Sequence, residues 1–160
     1  MAQGNEQIAW PVESVPDSDA LYYRVHRQFW AITGPNPGAF RDRCNPCSVC
    51  GDKKFRYDAM DKNYKCGKCD MVLPGGGMST DWAKYSTPED ARKRAAKPAE
   101  NAVAVAQAGS VRAVPGMLVE HNPVLGNRAH TNVKGDKKSA PDGTQIRVLL
   151  SRVFQTILPL

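Results

Sequence analysis

Cys44-Asn45-Pro46-Cys47-Ser48-Val49-Cys50-Gly51, answered after a spacer by Tyr64-Lys65-Cys66-Gly67-Lys68-Cys69-Asp70, decides how this chain is read. All five cysteines fall in these two runs, whereas a disulfide framework would spread them along the chain to staple it. Two C-x-x-C knuckles instead suit a metal. Zn²⁺ takes four soft ligands in a tetrahedron, and two intervening residues let both sulfurs of a knuckle reach one ion. Cys47, Cys50, Cys66 and Cys69 are therefore expected to bind one structural zinc ion. Gly51 after the second cysteine favours Cys47/Cys50 as the first knuckle. Cys44-Asn45-Pro46-Cys47 has the same spacing, so Cys44 is the alternative ligand.

The spacer suits a hairpin, with Lys54–Tyr57 as one arm, Asn63–Lys65 as the other and Ala59–Lys62 as the turn. A segment this short cannot build a core, so metal binding, worth roughly 10–16 kcal/mol in structural zinc sites, must supply its folding energy. Phe55, Tyr57 and Tyr64 are expected to pack beside the site.

Outward from the cysteines, about a quarter of the chain precedes them. Leu21, Tyr23 and Val25 alternate with Tyr22, Arg24 and His26, which reads as a strand over Ala20–Arg27. Met1–Asp19 reads as irregular. Downstream, Pro74-Gly75-Gly76-Gly77 marks a flexible joint or a tight loop. Thr87-Pro88-Glu89-Asp90 is a helix start, with a cap, a first-turn proline and two acids facing the dipole; the helix is expected to run to Ala96. Ala102–Ala106 and Val111–Val114 read as strands around a turn, with Met117–His121 as a third. Asn122–Lys138 reads as loop. Thr144–Leu158 reads as an amphipathic helix, with Ile146, Leu149, Leu150, Val153 and Ile157 on one stripe. The expectation is an α+β fold: a small mixed domain built from 1–42 and 75–160, interrupted by a two-knuckle zinc ribbon at 43–74 and closed by the C-terminal amphipathic helix.

The formal net charge of +6 is mildly basic, and zinc in four thiolates would lower it to about +4. Nucleic acid is thus a possible partner but not a necessary one. No apolar run approaches the ~20 residues of a membrane span. The N-terminus has neither a basic region nor an apolar one of the secretory kind, so a cytoplasmic location is expected.

The run Cys47-Ser48-Val49-Cys50-Gly51-Asp52-Lys53-Lys54-Phe55-Arg56-Tyr57-Asp58, then Tyr64-Lys65-Cys66-Gly67-Lys68-Cys69, resembles the zinc ribbon of phage and plasmid primases. The resemblance implies contact with single-stranded DNA template. It departs at Ser48, where the family carries proline, and no acidic polymerase motif follows, so primer synthesis is not implied. Leu21–His26, Ala39–Arg41, Gly77–Trp82, Val119–His121 and Asn127–His130 are similar to a small uncharacterised bacterial family, which implies that the ribbon is an insertion.

Three function classes follow. In the first, Lys54, Phe55, Arg56, Tyr57, Tyr64 and Lys65 stack on bases and meet phosphates of DNA or RNA, making the chain a binding module without catalysis. In the second, zinc only staples a protein–protein contact. In the third, Arg24 and His26, Ser79-Thr80 and Glu120 resemble the constellation of ADP-ribosyltransferases, against the plainer reading of a solvated sheet face. His26, His121 and His130 are candidate ligands of a second metal. Arg92, Lys93, Arg94 and Lys97, with Lys134, Lys137 and Lys138, could track a phosphate backbone.

Overall fold

The computed structural model describes residues 10–138, 142 and 145–160. The expectation for Met1–Asp19 lies outside the described residues up to position 9; from 10 to 19 the backbone forms neither helix nor strand. The elements in chain order are β1 (Ala20–His26), β2 (Trp30–Ala31), β3 (Gly34–Pro35), β4 (Phe55–Asp58), β5 (Asn63–Cys66), β6 (Val72–Leu73), β7 (Met78–Trp82), α1 (Pro88–Lys93), β8 (Asn101–Gln107), α2 (Ala108–Arg112), β9 (Leu118–His121), β10 (His130–Lys134), α3 (Ile146–Val153) and β11 (Gln155–Leu158). The fold is mixed α and β, dominated by strands.

Six strands form one antiparallel sheet in the order β11-β8-β1-β7-β10-β9. The alternation in β1 sets its two faces. Leu21 and Val25 are buried on one face, where α2 and α3 bring Val111, Ile146 and Leu150 to them. Tyr23, Phe40 and Phe154 close that core with ring centroids 5.5–5.9 Å apart. The other face carries Tyr22, Arg24 and His26. There α1 lies across β1 and β8, with Ala91 fully buried beneath it. Thr87 caps α1 as expected, its Oγ1 accepting from Asp90 N at 3.1 Å. The helix ends at Lys93, short of the expected Ala96. Arg94 instead turns back, and its guanidinium joins that of Arg24 on the buried Asp81 carboxylate at 3.0 and 3.3 Å.

A second sheet, β4-β5-β6, lies in sequence between β1 and β7, which are neighbours in the large sheet. Its ends meet at a neck: Arg43 and Gly77 exchange both backbone hydrogen bonds, at 2.9 and 3.0 Å. The glycine run at the neck makes a close approach rather than a flexible joint. A Cβ on Gly76 would come within 2.5 Å of Cys44 Sγ and 2.8 Å of the Tyr64 ring.

Three expectations are corrected. Val111–Val114 is not a strand: Ala108 and Val111 are buried one helical turn apart on α2. Asn122–Lys138 is not all loop, because His130–Lys134 forms an interior strand of the sheet. The last helix stops at Val153, and Ile157, placed on its stripe by the sequence, sits instead on the edge strand β11 and is exposed.

Candidate metal centre

The loop before β4, the last residue of β5 and the turn that follows it bring the Sγ atoms of Cys47, Cys50, Cys66 and Cys69 within 4.8 Å of one another. The Cys47–Cys69 and Cys50–Cys66 sulfurs are each 3.5 Å apart. Tetrahedral zinc with bonds of about 2.3 Å would space its sulfurs by about 3.8 Å, so the donor set and its size fit such an ion. The two knuckles repeat one backbone pattern. Gly51 N donates to Cys47 O at 2.8 Å, and Asp70 N donates to Cys66 O at 3.1 Å. Both Gly51 and Asp70 adopt positive φ, 75° and 62°, so glycine is the unstrained choice at the first, while aspartate is among the few other residues tolerated at the second.

This backbone favours a thiolate at the first cysteine of each knuckle, while the sulfurs facing them push the Cys50 and Cys69 thiols up. The N–H groups of Cys50 and Val49 face Cys47 Sγ and pull its thiol down to about 6. Those of Cys69 and Lys68 lower Cys66 in the same way. A thiolate is the form that binds metal. Cys44 stands apart from the cluster. Burial and the nearby Asp42 push its thiol up to about 11, so it stays a neutral side chain at the neck. Four cysteines can thus hold one metal ion, and Cys44 is not among them.

Of the six residues expected to meet nucleic acid, Lys54 is exposed. Tyr64 is buried, packing edge-on against Phe55 and Tyr57 with centroids 5.9 and 5.0 Å away. Its ring is spent on the interior. Lys65 is held by Asp58 at 2.8 Å and by Asp61, and Arg56 by Asp70 at 2.9 Å. Lys134 and Lys137 are also buried, the latter in an ion pair with Asp42. The three histidines do not converge. His26 faces Glu100, His121 accepts from Glu13 N and bonds Arg128 O, and His130 lies against Asn122 and Ser79. Among the described residues the four cysteines are the only cluster of metal-ligating groups. Glu120 lies exposed on edge strand β9, 3.3 Å from Lys134.

Sequence reasoning missed a basic cleft of about 630 Å³. β1 and β7 pair only at Leu21–Trp82 and Tyr22–Asp81, and beyond that point they part. Arg24, Arg41, Arg43, Arg94 and Lys97 line the opening, with Glu100 the one carboxylate on its wall. Their sequence signal is the basic runs at 41–43 and 92–97, which only the fold brings together. No helix among the described residues is long and apolar enough to cross a membrane. The chain matches no family model, no curated protein and no solved structure.

Proposed function

We propose that the four cysteines hold one structural zinc ion, that β4-β5-β6 is a zinc ribbon inserted in the larger sheet, and that the chain is a binding module for single-stranded DNA or RNA. The observation that carries the nucleic-acid reading is the basic cleft: Arg24 and Arg94 are paired with the buried Asp81, which leaves Arg41, Arg43 and Lys97 facing Glu100. The ribbon supports it through Arg43, which sits at the neck and lines the cleft. Exposed Lys53 and Lys54 extend the positive surface onto the ribbon. The likeness to primase-type ribbons points the same way. Phosphates in the cleft would release counterions, so affinity should fall with salt, with a log–log slope of about −2 for three contacts on a single strand.

Fluorescence anisotropy of the zinc-loaded chain with labelled single-stranded DNA, duplex DNA and RNA tests this. Binding should weaken with salt and be lost in Arg41→Ala/Arg43→Ala. Cys66→Ser should lose both zinc and binding, while Cys44→Ser keeps both. Salt-insensitive or absent binding at low ionic strength overturns the reading. A second reading rests on Val49, Met60, Met71 and Val72, all exposed on the cysteine-bearing segment. That apolar surface suits a zinc-stapled protein contact, which salt would leave largely unchanged.

A further inference from the structure

Ser79 and His130 sit diagonally on the neighbouring strands β7 and β10. The register pairs His130 with Asp81 and Asn132 with Ser79, so both side chains rise from one face. His130 Nδ1 is 2.8 Å from the backbone carbonyl of Asn122. A carbonyl only accepts, so Nδ1 carries the ring proton. In the neutral ring Nε2 is then an acceptor, and it lies 3.2 Å from Ser79 Oγ. The serine hydroxyl must be the donor. A nucleophile, a base and a group that orients the base are thereby lined up.

The surroundings leave room for a substrate. Ser79 and Arg43 line both the basic cleft and a second cavity of about 590 Å³. His130, Asn45 and Asn122 also line the second cavity, and no carboxylate does. Arg43 has no ion-pair partner among the described residues, so its charge is available to an anion. Asn132, directly across from Ser79, is buried; its Nδ2 donates to Gly75 O at 2.8 Å, but its Oδ1 has no partner. A buried acceptor left open beside a nucleophile is a place for a donor from water or substrate.

We propose that Ser79 is a nucleophile activated by His130, and that the chain hydrolyses an ester of an anionic acid whose negative charge is held by Arg43. Ser79 Oγ bonds to the carbonyl carbon as its proton passes to His130 Nε2, and the carbonyl electron pair moves onto oxygen. When that pair returns, the bond to the alcohol breaks and the alcohol leaves with the proton from Nε2. Water then attacks the acyl-serine, giving a proton to Nε2. Collapse releases the acid and returns the proton to Ser79 Oγ. The balance is ester plus water to acid plus alcohol. This activity goes beyond the binding role proposed above and departs from the expectation of a module without catalysis.

The test is a fluorophosphonate probe on the metal-loaded full chain, with the adduct located by peptide mass spectrometry. Ser79 should be labelled in preference to the other seven of the chain's eight serines. Ser79→Ala should abolish the adduct, and His130→Gln, checked for metal content and circular dichroism, should slow it by about 10²–10⁴-fold. Arg43→Ala should narrow the preference for p-nitrophenyl succinate over p-nitrophenyl acetate. No adduct on the intact wild-type chain, an adduct on another serine, or an unchanged rate in His130→Gln overturns the proposal. Should His130→Gln not fold, the site of labelling in the wild type still decides, and anisotropy with nucleic acid reads out binding independently of it.

Discussion

Tyr64 shows what a residue's identity conceals and what its position reveals. As an aromatic beside lysines it reads as a stacking platform, yet its hydroxyl accepts from Gly135 N at 3.1 Å and its ring closes a small core with Cys47, Cys66 and Leu73. The clue was two residues away. Side chains alternate along a strand, so a ligand at Cys66 turned inward takes Tyr64 inward with it and leaves Asn63 and Lys65 outside. Burial pushes the Tyr64 phenol well above its ordinary value. An unfolded tyrosine ionises near 10 while the folded one keeps its proton. Raising the pH above 10 therefore draws protons only from the unfolded state, and stability should fall. Tyr64→Phe should cost about 1–3 kcal/mol at neutral pH by orphaning the Gly135 amide, and should show a shallower loss above pH 10. Urea midpoints for both chains from pH 8 to 11 check this; parallel alkaline slopes would refute it. The cysteine cluster, by contrast, was legible from its paired spacings, although spacing left Cys44 open and only the fold sets it apart from the four sulfurs that meet.

Among elements, those whose neighbours in sequence determine them were the legible ones. β1 declared itself by strict alternation, and α1 by its cap. β10 did not, since His130-Thr131-Asn132-Val133-Lys134 is polar by composition. Its Thr131 and Asn132 are buried and meet partners far along the chain: Thr80 Oγ1 donates to Thr131 O at 2.9 Å, and Asn132 Nδ2 donates to Gly75 O at 2.8 Å. Val111 and Val114 invited a strand, but a spacing of three suits one side of a helix better than alternation does. The basic cleft was illegible for a similar reason, since it exists only where β1 outruns its pairing with β7. The two sheets also differ in how much core supports them. The large sheet buries Leu21, Val25, Phe40, Met78, Trp82 and Phe154, while β4-β5-β6 has little beyond Tyr64, Leu73 and the cysteines. Chelating the metal should therefore melt residues 47–73 first. Hydrogen exchange after chelator treatment should show lost protection in β4 and β5 with β1 and β8 still protected. Loss of protection in all four strands at once would show instead that the metal supports the whole fold.

At the scale of the molecule, the two sheets meet around a buried charge pair. Lys137 Nζ contacts Asp42 and donates to the carbonyls of Val133 and Gly135 at 3.0 and 2.9 Å. Burial lowers the lysine and raises the aspartate, so each charge persists on the strength of the other. Removing one partner strands the other in the interior. Lys137→Met should cost about 3–5 kcal/mol, and adding Asp42→Asn should recover most of it. Equal midpoints for the single variant and the wild type in urea would show that the pair does not clamp the sheets.

The neck at Arg43 and Gly77 has a consequence for chain length as well as for stability. Its two paired backbone groups return the chain to the large sheet at the point where it left. Lengthening what lies between costs only a logarithmic increment of closure entropy, about 0.6 kcal/mol per doubling. A change of length in the turn between β4 and β5, away from the neck and from Tyr64, should therefore be tolerated, whereas loss of Tyr64 would unseat the partners it meets across the neck at Gly135 and Lys137.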